Sequence, residues 1–409
     1  MMGRGGASMT TAQSKVLIVD KVAVIGTEIC RAVAAQGCRA DVFAEKSSPA
    51  FRSRFCHRRI VSPPFEDAAS FRDALDATAS NDSYDAIHVC HEEILARVRP
   101  LLEQSHWRGL LTPPPDRLKT ALSKHAATAL ASRLGIATPR TIVPDDDDHS
   151  TSLAREFSLP LVVKGDTGES GENVRIVWDR EQVAAKYRGV AANETRRGSR
   201  PALQEFVRGP AYSVGGLFFK GEPLRVVAHR KLIRYPYPFG GNTVKGVTER
   251  DRDLLRDVFK IFAALEYSGI GHIEFIRDSR DGRFKFLEIN PRPWGVIGVA
   301  QWAGVDLFTA YRQLVAGIPV AADLRYREGV LFHRIVREIR LTRQRPARMF
   351  GFIRDLLDSR VRSDFMWSDP LPHLPSRTRM RKLARGTHHS GMSGYAASAS
   401  LAPPESDRA

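Results

Sequence analysis

Two short stretches of the chain set carboxylates among apolar residues. GHIEF at 271–275 holds Glu274 between Ile273 and Phe275, and FLEINPRPWG at 286–295 holds Glu288 between Leu287 and Ile289. Side chains two residues apart on an extended strand face the same way, so Glu288 and Asn290 present their oxygens together. The turn-rich RDSRDGR between the stretches makes them neighbouring antiparallel strands. Three oxygen side chains at such a strand end are the hard ligands that Mg2+ prefers, with phosphate oxygens completing the octahedron, and Mn2+ suits the same set. On these residues alone, an ordinary half-exposed sheet face accounts for the two glutamates equally well.

A second stretch shifts that balance. Lys164 ends the apolar run LPLVVK and opens KGDTGESGEN, in which glycines at 165, 168 and 171 let backbone N–H groups approach an anion. The hydroxyls of Thr167 and Ser170 add donors, and Lys164 reaches the same phosphates as a point charge. The order is strand, Gly-rich loop and strand, unlike the strand, loop and helix of a P-loop. A plain turn is the competing reading; a lysine at its entry, ahead of a carboxylate pair and Arg292, weighs against it.

These groups need a scaffold, and the chain has the length for one. Its 409 residues allow two or three domains of about 100–200 residues each. No uninterrupted run of about 20 apolar residues occurs, so no membrane span is expected. The opening MMGRGGASMTTAQSK lacks an apolar core and reads as a disordered leader over 1–14, which makes the cytoplasm the expected location. Cys30, Cys38, Cys56 and Cys90 show no CxxC spacing and suggest neither zinc nor a disulfide framework.

From Lys15 to about residue 115, KVLIV, a helix over 27–36, a strand over 40–43 and AIHVC followed by HEEILARV alternate strand and helix. That alternation predicts a parallel, Rossmann-like α/β sheet without a GxGxxG dinucleotide loop. TPPPD at 112–116 punctuates the chain. A smaller α+β lobe is expected over 116–200. A larger lobe with a mostly antiparallel sheet is expected over 201–320, where ALQEFV, AYSVGGLFF, LRVVAHRKL, GHIEFIR and FKFLEIN follow closely. Basic helices are expected over 321–375 and a disordered tail over 376–409. The net charge of +16 is weighted towards that end, since Arg325 to Arg385 holds sixteen Lys/Arg against six Asp/Glu.

Taken in order, Lys124 in SKHAATALASRLGIATP, Lys164 before its Gly-rich loop, Gln204-Glu205-Phe206-Val207 before Arg208-Gly209, Glu274, and Glu288-x-Asn290-x-Arg292 resemble the ATP-grasp superfamily. The resemblance covers roughly residues 15–320 and is strongest to carbamoyl-phosphate-synthase-like and biotin-carboxylase-like ligases. It implies a pre-ATP-grasp domain at the N-terminus, followed by a two-lobed ATP-grasp fold. It further implies that Lys124 and Lys164 contact ATP phosphates, that the loop with Gly168, Ser170 and Gly171 covers them, and that Gln204, Glu205 and Val207 read adenine. Glu274, Glu288 and Asn290 would hold magnesium, Arg292 would face the transferred phosphoryl group, and Lys231 would add a phosphate contact. One departure stands out: many members carry a ribose-binding Glu just after the hinge glycine, where this chain has Pro210-Ala211-Tyr212.

The activity so implied is ATP-dependent ligation of a small-molecule carboxylate to an amine, releasing ADP and phosphate, by an enzyme that can be a homodimer. Asn242, Lys245 and Arg250 in FGGNTVKGVTER are candidates for an acceptor-carboxylate clamp, with a partnerless mobile loop as the alternative. Glu92 or Glu93 can face the cleft, although acidic residues also suit a surface helix N-terminus. The competing function is a basic protein of the same fold that binds nucleic acid or another polyanion, with ATP as regulator only.

Overall fold

The computed structural model describes residues 13–21, 24–81, 83–104, 107–168, 171, 173–195 and 198–374. The expected leader lies outside these residues up to position 12, as do Ser170 and the whole expected tail over 376–409.

β1 (Lys15–Val19), α1 (Ile25–Ala34), β2 (Arg39–Ala44), β3 (Cys56–Val61), α2 (Ala68–Asn81), β4 (Ala86–Val89) and α3 (Glu92–Gln104) form the first unit. Its four strands are all parallel, in the order β3-β2-β1-β4. Alternation along β1 explains why both faces are covered: Val16 and Ile18 pack with Ile25, Ile29 and Val33 of α1, whereas Leu17 and Val19 pack with Phe71, Leu75 and Ile94 of α2 and α3. The α/β expectation holds here.

α4 (Pro115–Leu122), α5 (Lys124–Arg133), β5 (Thr141–Ile142), α6 (Asp147–Leu153), β6 (Leu161–Lys164), β7 (Val174–Val177), α7 (Val183–Glu194) and β8 (Ala202–Glu205) follow. The strands make an antiparallel sheet in the order β5-β8-β6-β7. Phe157, Leu161, Val163, Val183, Tyr187 and Leu203 give this lobe a core of its own. Ala127, Leu130 and Ala131 of α5 belong instead to the core of the next lobe, where they meet Phe275 and Phe286.

The large lobe contains β9 (Ala211–Phe219), β10 (Glu222–Tyr235), β11 (Asn242–Thr248), α8 (Arg252–Ala264), β12 (Gly269–Arg277), β13 (Phe284–Asn290), α9 (Gly298–Trp302) and α10 (Leu307–Val315). α8 starts at Asp251, whose carboxylate accepts the N–H groups of Asp253 and Leu254, and it lays Leu254, Val258, Ile261 and Phe262 on the sheet. Trp294, Leu307 and Tyr311 share a core with α1 and β1, so the first unit and the large lobe are packed as one body. Tyr311 reinforces that seam by donating to Ile87 O at 3.0 Å and accepting from Leu111 N at 2.7 Å.

Two expectations are corrected. NTVKGVT is not a loop: it is β11, antiparallel to β10. The C-terminal extension is not only helical, because β14 (Leu331–His333) and β15 (Arg362–Ser363) flank α11 (Ile335–Gln344) and α12 (Met349–Leu357). β14 pairs with β11, and β15 lies parallel to β14, which completes a seven-stranded sheet in the order β13-β12-β9-β10-β11-β14-β15. Beyond it, DPLPHLP returns to the first unit. Asp369 accepts from Arg31 Nε at 2.9 Å, Ser53 Oγ at 2.8 Å and Arg54 N at 2.9 Å, and Arg31 also donates to Asp364 O at 2.7 Å. Among the described residues no helix is long and apolar enough to cross a membrane.

Candidate active site

The two glutamates read from the sequence face each other. Glu274 of β12 is the direct cross-strand partner of Glu288 on β13, and His272 stands opposite Asn290. Directly opposed residues on antiparallel strands have Cβ atoms about 4.5–5.5 Å apart. Two like charges at that spacing repel unless cations separate them, and here cations do. Lys231 Nζ lies 2.7 Å from Glu274, Lys164 Nζ lies 4.0 Å from Glu288, and Arg292 donates to Asn290 Oδ1 at 3.1 Å. Burial alone would raise the Glu274 carboxyl, but Lys231, with His272, outweighs it and holds the group far below the usual carboxylate range.

Lys164 projects from the end of β6 across the gap between lobes, where its ammonium donates to Leu287 O at 2.8 Å. Burial is the main influence on it and lowers it from the usual 10.5 to about 8, against the opposing pull of Glu288. Lys124, the first residue of α5, reaches the Gly-rich loop and donates to Gly168 O at 2.6 Å. Gly168 and Gly171 sit at φ of 99° and 79°, in the region where a side chain is strained, so the loop depends on them.

That loop is anchored by residues the sequence reading passed over. Asp166 accepts from Ser123 Oγ and His125 N, both at 2.8 Å, and so ties the loop to the start of α5. The fully buried Glu194 accepts from Asp166 N, Asn173 Nδ2 and Ser199 Oγ at 3.0, 2.7 and 2.6 Å. Thr167 was expected to offer its hydroxyl to an anion; it donates to Glu194 at 3.3 Å.

At the junction of the lobes, Gln204 spends its amide nitrogen on Thr141 Oγ1 at 2.9 Å. Its carbonyl oxygen points to no described donor. Glu205 accepts from Arg280, from Arg140 N at 3.2 Å and from Lys285 at 3.4 Å. Val207 is buried beside them. Gly209 at φ 150° lies so close to the Arg277 carbonyl that any Cβ would collide with it, which clips this junction to the β12–β13 hairpin. Trp178, Phe206 and Phe239, with ring centroids 5.1–6.2 Å apart, bridge the lobes nearby.

Three other expectations resolve differently. The clamp of Asn242, Lys245 and Arg250 does not form. Asn242 pairs with Tyr235 in the ladder, Lys245 is bound to Asp355 at 2.6 Å, and Arg250 donates to Leu324 O and lies over the Tyr326 ring. Glu92 does more than begin a helix, since its Oε1 is 3.3 Å from Arg292 Nε. Glu93 turns the other way, to Lys21 at 2.9 Å. The reading also missed His272 and Trp294, whose rings lie 5.8 Å apart beside the carboxylates. The signal for His272 was present, because it stands two residues before Glu274 on one strand.

As a metal site the set is coherent. Two facing carboxylates and a carboxamide oxygen are hard donors of the kind Mg2+ takes, and the cations now spread over them mark the place as one that demands positive charge. Among the described residues no group of three or more His, Cys, Asp or Glu side chains is placed to hold a metal; here the donors are two carboxylates and a carboxamide.

A small antiparallel lobe with a glycine-rich loop is set against a large sheet edged by lysine, arginine and paired carboxylates. Residues 122–296 match the family model of the ATP-grasp domain. Biotin carboxylase of Pseudomonas aeruginosa is 25% identical over 267 residues, covering 60% of this chain and 57% of the relative. D-alanine–D-alanine ligase of Chromohalobacter salexigens is 26% identical over 166 residues, covering 39% and 51%. This chain thus spans little more than half of either relative's length. The solved biotin carboxylase–β-γ-ATP complex from Campylobacter jejuni superposes with a TM-score of 0.63 at 15% identity, covering 78% of this chain and 74% of that one, which shows a shared fold.

Proposed function

We propose that the protein is an ATP-dependent ligase that activates a small-molecule carboxylate as an acyl phosphate and joins it to an amine, releasing ADP and phosphate. The observation that carries this reading is the gathering of Glu274, Glu288, Asn290, Lys164 and Arg292, from both lobes, on one edge of the large sheet. In this reading Lys124 and Lys164 hold the nucleotide phosphates beneath the loop with Gly168, Ser170 and Gly171. Gln204, Glu205 and Val207 line the base, with the free carbonyl of Gln204 as acceptor for an exocyclic amine.

Glu274, Glu288 and Asn290 would bind Mg2+, which when present neutralises charge on the transferred phosphoryl group. Lys231, now paired with Glu274 at 2.7 Å, would be the cation nearest that site and available to a phosphate. Arg292, fixed between Asn290 and Glu92, stabilises the charge that develops in transfer. The first unit closes the far wall and limits water access to the acyl phosphate.

The test is ADP release from Mg-ATP by the purified protein, screened against pools of amino acids and small carboxylates. Stimulation by one pool, lost in Glu288→Ala, supports the reading. Acceptor-independent release that survives Glu288→Ala defeats it.

A further inference from the structure

The apolar face of α12 is turned outward. Met349, Phe350, Ile353, Leu356 and Leu357 are all exposed, and Phe350 and Leu357 keep 80% and 81% of their accessible surface. At about 100° per residue these five side chains fall within an arc of roughly 120°, a continuous stripe along the helix. The opposite side holds the helix in place: Asp355 is bound by Lys245 at 2.6 Å, and the Phe352 ring lies 6.2 Å from that of His333. The helix is thus docked by its polar side and presents its hydrophobic side to solvent. Large contiguous apolar surface on a folded protein marks an interaction site.

The surroundings say what the stripe meets. From Arg340 to Arg362 the chain carries seven arginines against two aspartates. Both aspartates are already paired, Asp355 with Lys245 and Asp358 with Arg360 at 2.8 Å. Arg343 on α11 and Arg354 on α12 stand exposed. A second copy of the chain meeting this face about a two-fold axis would bring the same arginines together. Arg377, Arg379, Arg381, Lys382 and Arg385, with no acid among residues 377–385, continue the basic character of the sequence beyond α12. Nucleic acid would satisfy the arginines but leave the aliphatic stripe wet.

We infer that α12 seats the protein on an anionic phospholipid surface. Met349, Phe350, Ile353, Leu356 and Leu357 enter the headgroup–acyl boundary, and the arginines contact lipid phosphates. Apolar side chains that project this far suit a fluid surface, and a helix of this kind gains from apolar burial and from attraction to anionic lipid together. The inference is independent of the ligase reading, because none of these residues belongs to the active site.

The experiment is co-sedimentation of the full chain with vesicles of phosphatidylglycerol mixed with phosphatidylcholine, beside vesicles of phosphatidylcholine alone. Binding to the anionic vesicles, weakened by salt and reduced roughly tenfold or more by each of Phe350→Asp and Leu357→Asp, is the expected result. Arg343→Glu combined with Arg354→Glu should weaken it as well. Both apolar positions are exposed, so the variants should keep the parent's melting temperature, and one that does not is replaced by Phe350→Ser. Absence of binding to anionic vesicles overturns the inference. So does binding that Phe350→Asp and Leu357→Asp leave intact, or a patch that proves to be covered by a second copy or an acidic protein.

Discussion

Arg292 and Glu92 meet with 3.3 Å between Nε and Oε1, across the seam between the parallel sheet and the seven-stranded one. The contact fixes the guanidinium from behind while Asn290 holds it in front at 3.1 Å. Glu92 is therefore a positioning residue for Arg292, the arginine proposed above to face the phosphoryl group. Glu92→Gln should lower kcat by roughly 10- to 100-fold and change the KM for ATP little, as expected of a contact that matters most in the transition state. Steady-state kinetics separate the two parameters, and a rise in KM alone would count against the role.

Lys164 gives the nucleotide site a pH dependence. Its folded value of about 8 lies below the ordinary 10.5, chiefly through burial. ATP affinity should fall as the pH is raised through about 8, whereas Lys164→Arg, which stays charged, should hold affinity across that range. For stability the sign is opposite. Between about 8 and 10.5 the unfolded chain binds a proton that the folded one has lost, so this group makes the fold more stable as the pH rises. Lys164→Met should remove that rise; ATP titrations and melting curves over the same pH series check both statements.

Glu28 acts in the acid range. It packs against Gly298 in a cleft of about 250 Å3 between α1 and the α9–α10 segment. Burial first, and Asp364 second, raise its carboxyl from 4.5 to about 7, against the pull of Arg31. Between those values the folded chain keeps a proton that the unfolded chain has released, so stability from this group declines as the pH rises through the window. The melting temperature of Glu28→Gln should pull ahead of the parent's as the pH goes from 4.5 to 7.

Asp369 is a buried partner of Arg31, and neutralising it leaves Glu28, at 3.3 Å, as the carboxylate beside that guanidinium. Asp369→Asn should cost about 3–5 kcal/mol in urea unfolding, and Arg31→Met added to it should recover part of the loss.

The site was legible where its cause is local. Alternation of polar and apolar residues in GHIEF and FLEIN follows from strand geometry and brings Glu274, Glu288 and Asn290 onto neighbouring strands; only the structure supplies the register that sets Glu274 opposite Glu288. The lysine before the glycine-rich loop is equally local. NTVKGVT hid as a strand because three of its seven residues, Asn242, Lys245 and Gly246, carry little strand preference, and its pairing with β10 and β14 supplies the rest. The role of Glu92 was ambiguous for a related reason: acids at a helix start are common, and only the third dimension brings Arg292 to it. Arg31 and Asp369 are 338 residues apart, and no periodicity reports on such a pair.

That distance has a further consequence during synthesis. The parallel sheet leaves the ribosome ahead of the two lobes that follow it, yet Arg31, Ser53 and Arg54 wait for a carboxylate that emerges more than 300 residues later. Until Asp369 arrives, the first unit carries a cation in a site built to be dry. The parallel sheet is thus finished only after a residue more than 300 positions downstream has been made, so emergence of that sheet alone does not seal its fold.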